Sequence, residues 1–326
     1  MGHRAPCLPP VGPRGGSTLA LSRFWSLPAG AGSDPIIILP SVSETPCILT
    51  VHAHPDDESS KGAGTIAKYH AAGVRTVLVC CTGGEEGEIL NPAMDVEEVK
   101  SRIGEVRRGE LEAACSVIGY DEIVMLGYRD SGMDGSESNA NPECFAAAPL
   151  EEAVEKLTAV IRRVRPEVIV TYPEDQSGYP HPDHLKVHEV SVRAYEAAGD
   201  RSRFPAAGEP FSPSKLYYTV WPVRRMREVH AKFLELGLES PFDERWLARL
   251  VKEEPTTTSV DITGFTDVRS KALLAHATQV DPNSPFWFGL PPEVEATIHP
   301  YDEYYLARSE VGDVSEDGDL FAGVKR

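Results

Sequence analysis

Short apolar runs alternate with amphipathic stretches over most of the chain. The runs at 48–51, 76–81, 123–126, 168–172 and 216–221 are continuous, and several are rich in β-branched residues. That is the pattern of strands covered on both faces. Between them, Val96, Val99, Ile103 and Val106 recur at intervals of three and four, with Glu97, Glu98, Lys100 and Arg102 on the opposite side; Val154, Leu157, Ile161 and Val164 repeat in the same way. This is the period of an amphipathic helix. The first repeat is predicted to run to about Gly119, a residue suited to a helix C-cap. Strand and helix in alternation imply right-handed crossovers and a mostly parallel sheet. No internal repeat is visible. Beyond about residue 200 the pattern loosens into Pro-rich loops and isolated helices such as 268–278, read as additions that wall the site.

The two ends differ from this core. In residues 1–46 prolines and glycines interleave with few periodic apolar positions, so this extension is expected to be disordered or loosely docked. "STLALSRFW" is too short and interrupted for a secretory signal. "SEVGDVSEDGD" at 309–319 is an acidic stretch of small residues, expected to be solvated, and 311–326 is set apart as an acidic tail. The catalytic domain is placed at 47–310, with a core at 47–200 and a substrate-pocket elaboration at 201–310.

Charge and cysteine content narrow the function. Against 32 Lys and Arg stand 50 Asp and Glu, a formal charge of -18 over 326 residues. This argues against partners chosen by phosphate neutralisation, and so against nucleic acid and anionic membranes. Cys7, Cys47, Cys80, Cys81, Cys115 and Cys144 show no CxxC pairing and read as reduced thiols of a cytoplasmic protein. No apolar stretch approaches the roughly 20 residues that span a bilayer.

Two dense polar clusters follow predicted strands. "VHAHPDDESSKG" at 51–62 sets two histidines and three carboxylates after the apolar "CILT", at a strand's carboxyl end, where open α/β sheets collect ligands. It cannot be a dinucleotide turn, because it lacks GxGxxG, and "TGGEEGE" after the second strand lacks the P-loop lysine. The second cluster is "YPHPDH" at 179–184. His54 and Asp57 are three apart, as are His181 and His184, so a helical turn puts each pair on one side. Two loops at one sheet edge then bring together two imidazoles and a carboxylate, three ligands of a catalytic zinc site with a fourth position for water. Amide hydrolysis also needs a base, for which Asp56 is suited, and a group for the developing oxyanion, for which the non-ligand histidine of the HxxH pair is suited. Spacing does not choose between those two histidines.

"AHPDDE" with "HPDH" resembles the PIG-L/LmbE family of zinc-dependent N-deacetylases and amidases. "TGGEEGEILNPAMD", "RFPAAGEP", "SKLYY" and "HATQVDP" extend the likeness from about Ile48 to about Gly323, closest to the branch acting on mycothiol-pathway compounds. The resemblance implies a Rossmann-like α/β fold with helices on both faces of the sheet and an elaborated C-terminal part. It implies one Zn²⁺ per chain, replaceable by Fe²⁺ or Co²⁺, held by His54, Asp57 and His184. It also implies Asp56 as general base, His181 at the oxyanion and leaving amine, and Tyr179 over the substrate carbonyl.

The same likeness implies substrate contacts at Lys61, Arg108 and Asp130. An arginine fork and a carboxylate suit vicinal diols, although Arg108 could instead pair with Glu105 or Glu112 on a solvated face, and Asp130 could open a turn. Asp183 is expected to orient a ligand histidine. His52 is expected in the core, His276 is expected to pack the C-terminal helix near the pocket, with support of a site residue as the alternative, and Glu85, Glu86 and Glu88 read as loop charges. The function implied is hydrolysis of the amide in glucosaminyl-inositol thiol S-conjugates, releasing a mercapturic acid. The alternative is deacetylation of N-acetylglucosaminyl-inositol. A non-catalytic sugar-binding protein would need a broken ligand or base, and the sequence breaks none.

Overall fold

The computed structural model describes residues 45–174, 179–242, 244–248, 255–312 and 318–325. All but the last two residues of the predicted 1–46 extension lie outside these. Among the described residues seven strands form one sheet: β1 (Cys47–His52), β2 (Arg75–Thr82), β3 (Glu122–Tyr128), β4 (Val168–Thr171), β5 (Lys215–Val220), β6 (Thr258–Asp261) and β7 (Tyr301–Ser309), in the order β3-β2-β1-β4-β5-β7-β6. The first five are mutually parallel. β7 runs antiparallel to both β5 and β6.

Alternation along β1 explains why the sheet is covered on both sides. Cys47, Leu49 and Val51, with Val77 and Val79 of β2, pack against helices Leu150–Val164 and Pro182–Gly199. Ile48, with Val168 and Val170 of β4, packs on the other face against helix Ala63–Ala71 and the end of helix Ile103–Ile118. Each such side chain, fully buried, contributes roughly 1.5–3 kcal/mol, and the polar residues that β1 buries among them are hydrogen-bonded: Thr50 Oγ1 to Tyr120 Oη at 2.8 Å and His52 Nδ1 to Tyr172 Oη at 3.1 Å. The chain builds outward from β1 through β2 to β3, then returns to place β4 on β1's other side. The crevice beyond the carboxyl ends of β1 and β4 is therefore the topological switch point, the usual ligand position in such sheets.

Two expectations are corrected. The helix expected to start near Val96 is two helices, Val96–Lys100 and Ile103–Ile118. The Val96–Val106 stripe is not the buried face; that face is Arg107, Glu110, Leu111, Ala114, Cys115 and Ile118, so its first two positions are charged. Gly119 does cap the second helix, with a left-handed φ of 95°. β6 and β7 were not anticipated, since β6 has four residues and β7 carries Asp302 and Glu303, poor strand formers. Beyond the acidic stretch the chain returns to the core. Leu320 and Phe321 are buried in the second core cluster, and Tyr69 Oη donates to Asp319 Oδ1 at 2.9 Å while accepting from Leu320 N at 2.7 Å.

Candidate metal centre

The chain leaves β1 at His52 and turns sharply through residues 53–56 into helix Asp57–Ser60. The turn closes on itself, as His54 N donates to Asp57 Oδ2 at 3.0 Å. Asp56 sits at φ 124°, ψ −25°, a conformation an L-residue adopts only under constraint. Across the crevice, His181 is the N-cap of helix Pro182–Gly199; its Nδ1 accepts from Asp183 N at 3.2 Å. Pro182 at the first helical position costs no hydrogen bond. His184 follows a turn later and points inward.

These two elements bring His54, Asp57 and His184 together. Their ligand atoms lie within 4.8 Å of one another, and all three residues are buried. Asp57 Oδ2 is 3.5 Å from His54 Nδ1 and 3.3 Å from His184 Nε2. Neither ring nitrogen of His184 has a hydrogen bond among the described residues. A buried imidazole normally finds a partner, and a cation between His184, Asp57 and His54 supplies one. Two imidazoles and a carboxylate suit a borderline divalent ion. The donor set fits a metal.

A second group, His54, Asp130, His181 and Asp183, meets the same distance limit. Its carboxylates are already engaged. Asp183, wholly buried, accepts from His54 Nε2 at 3.1 Å, from Ser131 N at 2.9 Å and from Ser131 Oγ. Asp130 accepts from Gly132 N at 2.8 Å and Glu86 N at 3.3 Å, and its Oδ1 is 3.5 Å from His54 Nε2. These residues orient His54 and leave Nδ1 free to face Asp57, the usual outer support of a ligand histidine.

Charges respond to this crowding. Burial would depress the His54 imidazole, but Asp130, Asp183 and Asp57 together hold it well above its ordinary value. Burial would raise Asp57, yet Lys61 and His184 hold it well below the carboxylate range. Burial pushes Asp56 up, with Arg107 pulling the other way. His181 is pushed down to about 4 by burial and by His54. His184 is lowered by burial.

The remaining predicted residues fall into place unevenly. Tyr179 is half exposed at the rim, its ring 5.3 Å from that of His184; residues 175–178 just before it lie outside the described set. Lys61 Nζ is 2.5 Å from Asp57 Oδ1. Arg108 does not reach the site: its exposed side chain pairs with Glu112 at 2.7 Å. Its neighbour Arg107 does. That guanidinium is buried, donating to Pro55 O, to Gly84 O at 2.5 Å and to Asp56 Oδ2 at 3.0 Å. Hydrophobic periodicity passes over it, because a buried arginine occupies a position expected to be apolar. His52 is in the core, its Nδ1 3.1 Å from Tyr172 Oη. Glu85 and Glu86 are not merely loop charges: Glu85 Oε2 accepts from Asp130 N at 2.9 Å, and Glu86 pairs with Arg129 at 2.6 Å.

Residues 49–195 match the model of the family described as "PIG-L: GlcNAc-PI de-N-acetylase". Over 287 residues the chain is 42% identical to a mycothiol S-conjugate amidase of Streptomyces coelicolor, covering 85% of this chain and 97% of that one. The chain belongs to the PIG-L family. A Streptomyces avermitilis member, a 1D-myo-inositol 2-acetamido-2-deoxy-alpha-D-glucopyranoside deacetylase, is 41% identical over 288 residues with the same coverage. A similar fold is seen in N,N'-diacetylchitobiose deacetylase from Pyrococcus horikoshii (TM-score 0.55, 17% identity, covering 81% of this chain and 84% of that one). A conserved protein of Thermus thermophilus shares it too, with TM-score 0.52 and 24% identity over 80% of this chain and 94% of that one.

Proposed function

We propose that this PIG-L chain is a zinc-dependent amidohydrolase of the cytoplasm, cleaving the amide between an S-substituted N-acetylcysteine and glucosaminyl-inositol. The observation that carries the reading is the convergence of His54 Nδ1, Asp57 Oδ2 and His184 Nε2, with Asp56 next in the chain to Asp57 and its carboxylate accepting from Arg107 at 3.0 Å. Those three residues would hold Zn²⁺, which when bound would supply Lewis-acid polarisation of the amide carbonyl and a more acidic attacking water; Fe²⁺ or Co²⁺ would serve with the same donors.

The chain's own groups do the rest. Asp56 takes the proton released as water attacks, and later passes it to the amine as the C–N bond breaks. The products are then a carboxylic acid and a free amine. Since His181 Nδ1 accepts from Asp183 N, the neutral imidazole carries its proton on Nε2, which donates to the oxyanion of the tetrahedral intermediate. Tyr179 at the rim covers the carbonyl. Asp183 and Asp130 fix the ring of His54. Free, buried Cys47, Cys80, Cys81, Cys115 and Cys144, and the lack among the described residues of a helix long and apolar enough to cross a membrane, support the location.

A second reading, deacetylation of N-acetylglucosaminyl-inositol, draws on Lys61. The residue expected to favour the S-conjugate is engaged by Asp57, and the deacetylase relative is almost as similar as the amidase. Assaying both substrates side by side, before and after chelation and with one equivalent of Zn²⁺ restored, tests the proposal. Hydrolysis of the S-conjugate should dominate, vanish on chelation and return with zinc. Undiminished activity in metal-free protein would overturn the metal, and faster deacetylation would reverse the order of the two readings.

A further inference from the structure

Asp56 is held by more than its own turn. Its backbone N–H donates to Glu58 Oε2 at 2.9 Å. Glu58 is wholly buried, and its other oxygen lies 2.6 Å from His276 Nε2, also wholly buried and 218 positions along the chain. Ser59 Oγ completes the set at 2.5 Å from Glu58 Oε1. Two residues after His276, Thr278 donates through N at 2.8 Å and Oγ1 at 2.7 Å to Glu110. Glu110 lies on the same buried helix face as Arg107, which grips Pro55 and Asp56 from the other side. The segment 276–278 is thus bolted to both supports of one strained residue.

Burying a carboxylate and an imidazole is expensive unless they meet each other, and helix-to-turn packing could have been achieved with apolar side chains. What the polar pair adds is direction: a carboxylate with one oxygen fixed by His276 presents the other to the Asp56 N–H at a defined angle. We propose that His276 is a positioning residue for catalysis, acting through Glu58 to hold Asp56 at its strained φ so that its carboxylate faces the attacking water. The inference rests on Asp56 being the general base. It makes the C-terminal segment part of the catalytic apparatus and not only a wall of the pocket.

The test exploits side-chain length. A glutamine amide nitrogen falls near the position of an imidazole Nε2, an asparagine amide nitrogen near Nδ1, and here Nε2 makes the contact. His276→Asn should lower kcat at least tenfold with KM and metal content unchanged, whereas His276→Gln should recover most of it. Introduced on top of Asp56→Ala, His276→Asn should cost nothing further, because the residue it positions is gone. Equal losses in His276→Asn and His276→Gln, a loss residing in KM or metal content, or an undiminished effect in the Asp56→Ala background would each overturn the positioning role. Full activity of Asp56→Ala alone would instead overturn the base assignment.

Discussion

Lys61 Nζ lies 2.5 Å from Asp57 Oδ1, while both His54 and His184 approach Oδ2 of the same carboxylate. One oxygen faces the metal position and the other is held by an ammonium at the next helical turn. Lys61 therefore keeps Asp57 ionised and fixes its rotation, which is a different task from reading the substrate.

Removing Lys61 should accordingly weaken metal binding. Partners that orient a ligand typically contribute 10- to 100-fold in metal affinity, so Lys61→Ala should raise the Kd for Zn²⁺ by about that factor in competition with a chromophoric chelator. Both substrates should lose kcat/KM in parallel at limiting zinc and recover together at saturation. A loss confined to the S-conjugate at unchanged metal affinity would return Lys61 to substrate recognition.

Arg107 and Arg108, adjacent in sequence, should behave in opposite ways. Arg107→Ala leaves the carbonyls of Pro55 and Gly84 without their donor, at about 1–3 kcal/mol for each buried unsatisfied group, and empties a large buried volume. Its urea unfolding midpoint should fall sharply. Arg108→Ala removes an exposed pair with Glu112 and should stay within about 0.5 kcal/mol of the parent, with KM unaltered. A tenfold rise in KM for Arg108→Ala would restore the diol-binding role.

Those two arginines mark where sequence patterns stop being informative. The five parallel strands were readable because a strand buried on both faces is mostly apolar, as in Ile48, Leu49 and Val51 around the buried Thr50. β7 was not, because Asp302 and Glu303 are buried in it through partners brought by other segments. The candidate ligands were legible as local spacings, since HxxD and HxxH each sit on one turn. The choice between His181 and His184 was not, and depends on His181 spending its Nδ1 as a helix cap. Glu58 stands inside the first motif, yet its partner His276 lies 218 positions away, a separation over which no periodicity carries information. Arg107 falls on the face that periodicity reserves for apolar side chains.

Replacing Asp56 separates its backbone strain from its side-chain roles. Its φ of 124° costs roughly 1–3 kcal/mol for a residue with a Cβ, and glycine is free of that strain while adding about 0.5–1 kcal/mol of unfolded-state entropy. Asp56→Gly also takes the carboxylate from the buried Arg107, so it is expected to be more stable than Asp56→Ala, which suffers that loss and keeps a Cβ at this φ, to retain one equivalent of zinc, and to lose about 10²- to 10⁴-fold in kcat. Asp56→Val, which adds a branched Cβ at the same φ, should be clearly less stable. Loss of zinc from Asp56→Gly would make Asp56 a ligand and not the base.

Asp302 offers a pH test away from the metal. Its buried carboxylate accepts from Thr65 N at 2.9 Å and Thr65 Oγ1 at 3.0 Å, and burial pushes it above its ordinary value of 3.8 against the pull of Arg269. A carboxyl raised in the folded state binds its proton more tightly there than in the unfolded chain. The stability this contributes is complete below the unfolded value and is lost as pH rises through the folded one. Asp302→Asn keeps an oxygen for Thr65 and never ionises. Relative to the parent, its advantage should therefore be smallest near pH 4, grow as pH rises, and level off once Asp302 is fully charged in the folded parent. Urea unfolding of both proteins from pH 4.5 to 7.5 measures this. A difference that does not change with pH, or an Asn variant that weakens progressively as pH rises, would mean that Arg269 and the Thr65 donors outweigh the cost of burying the charge.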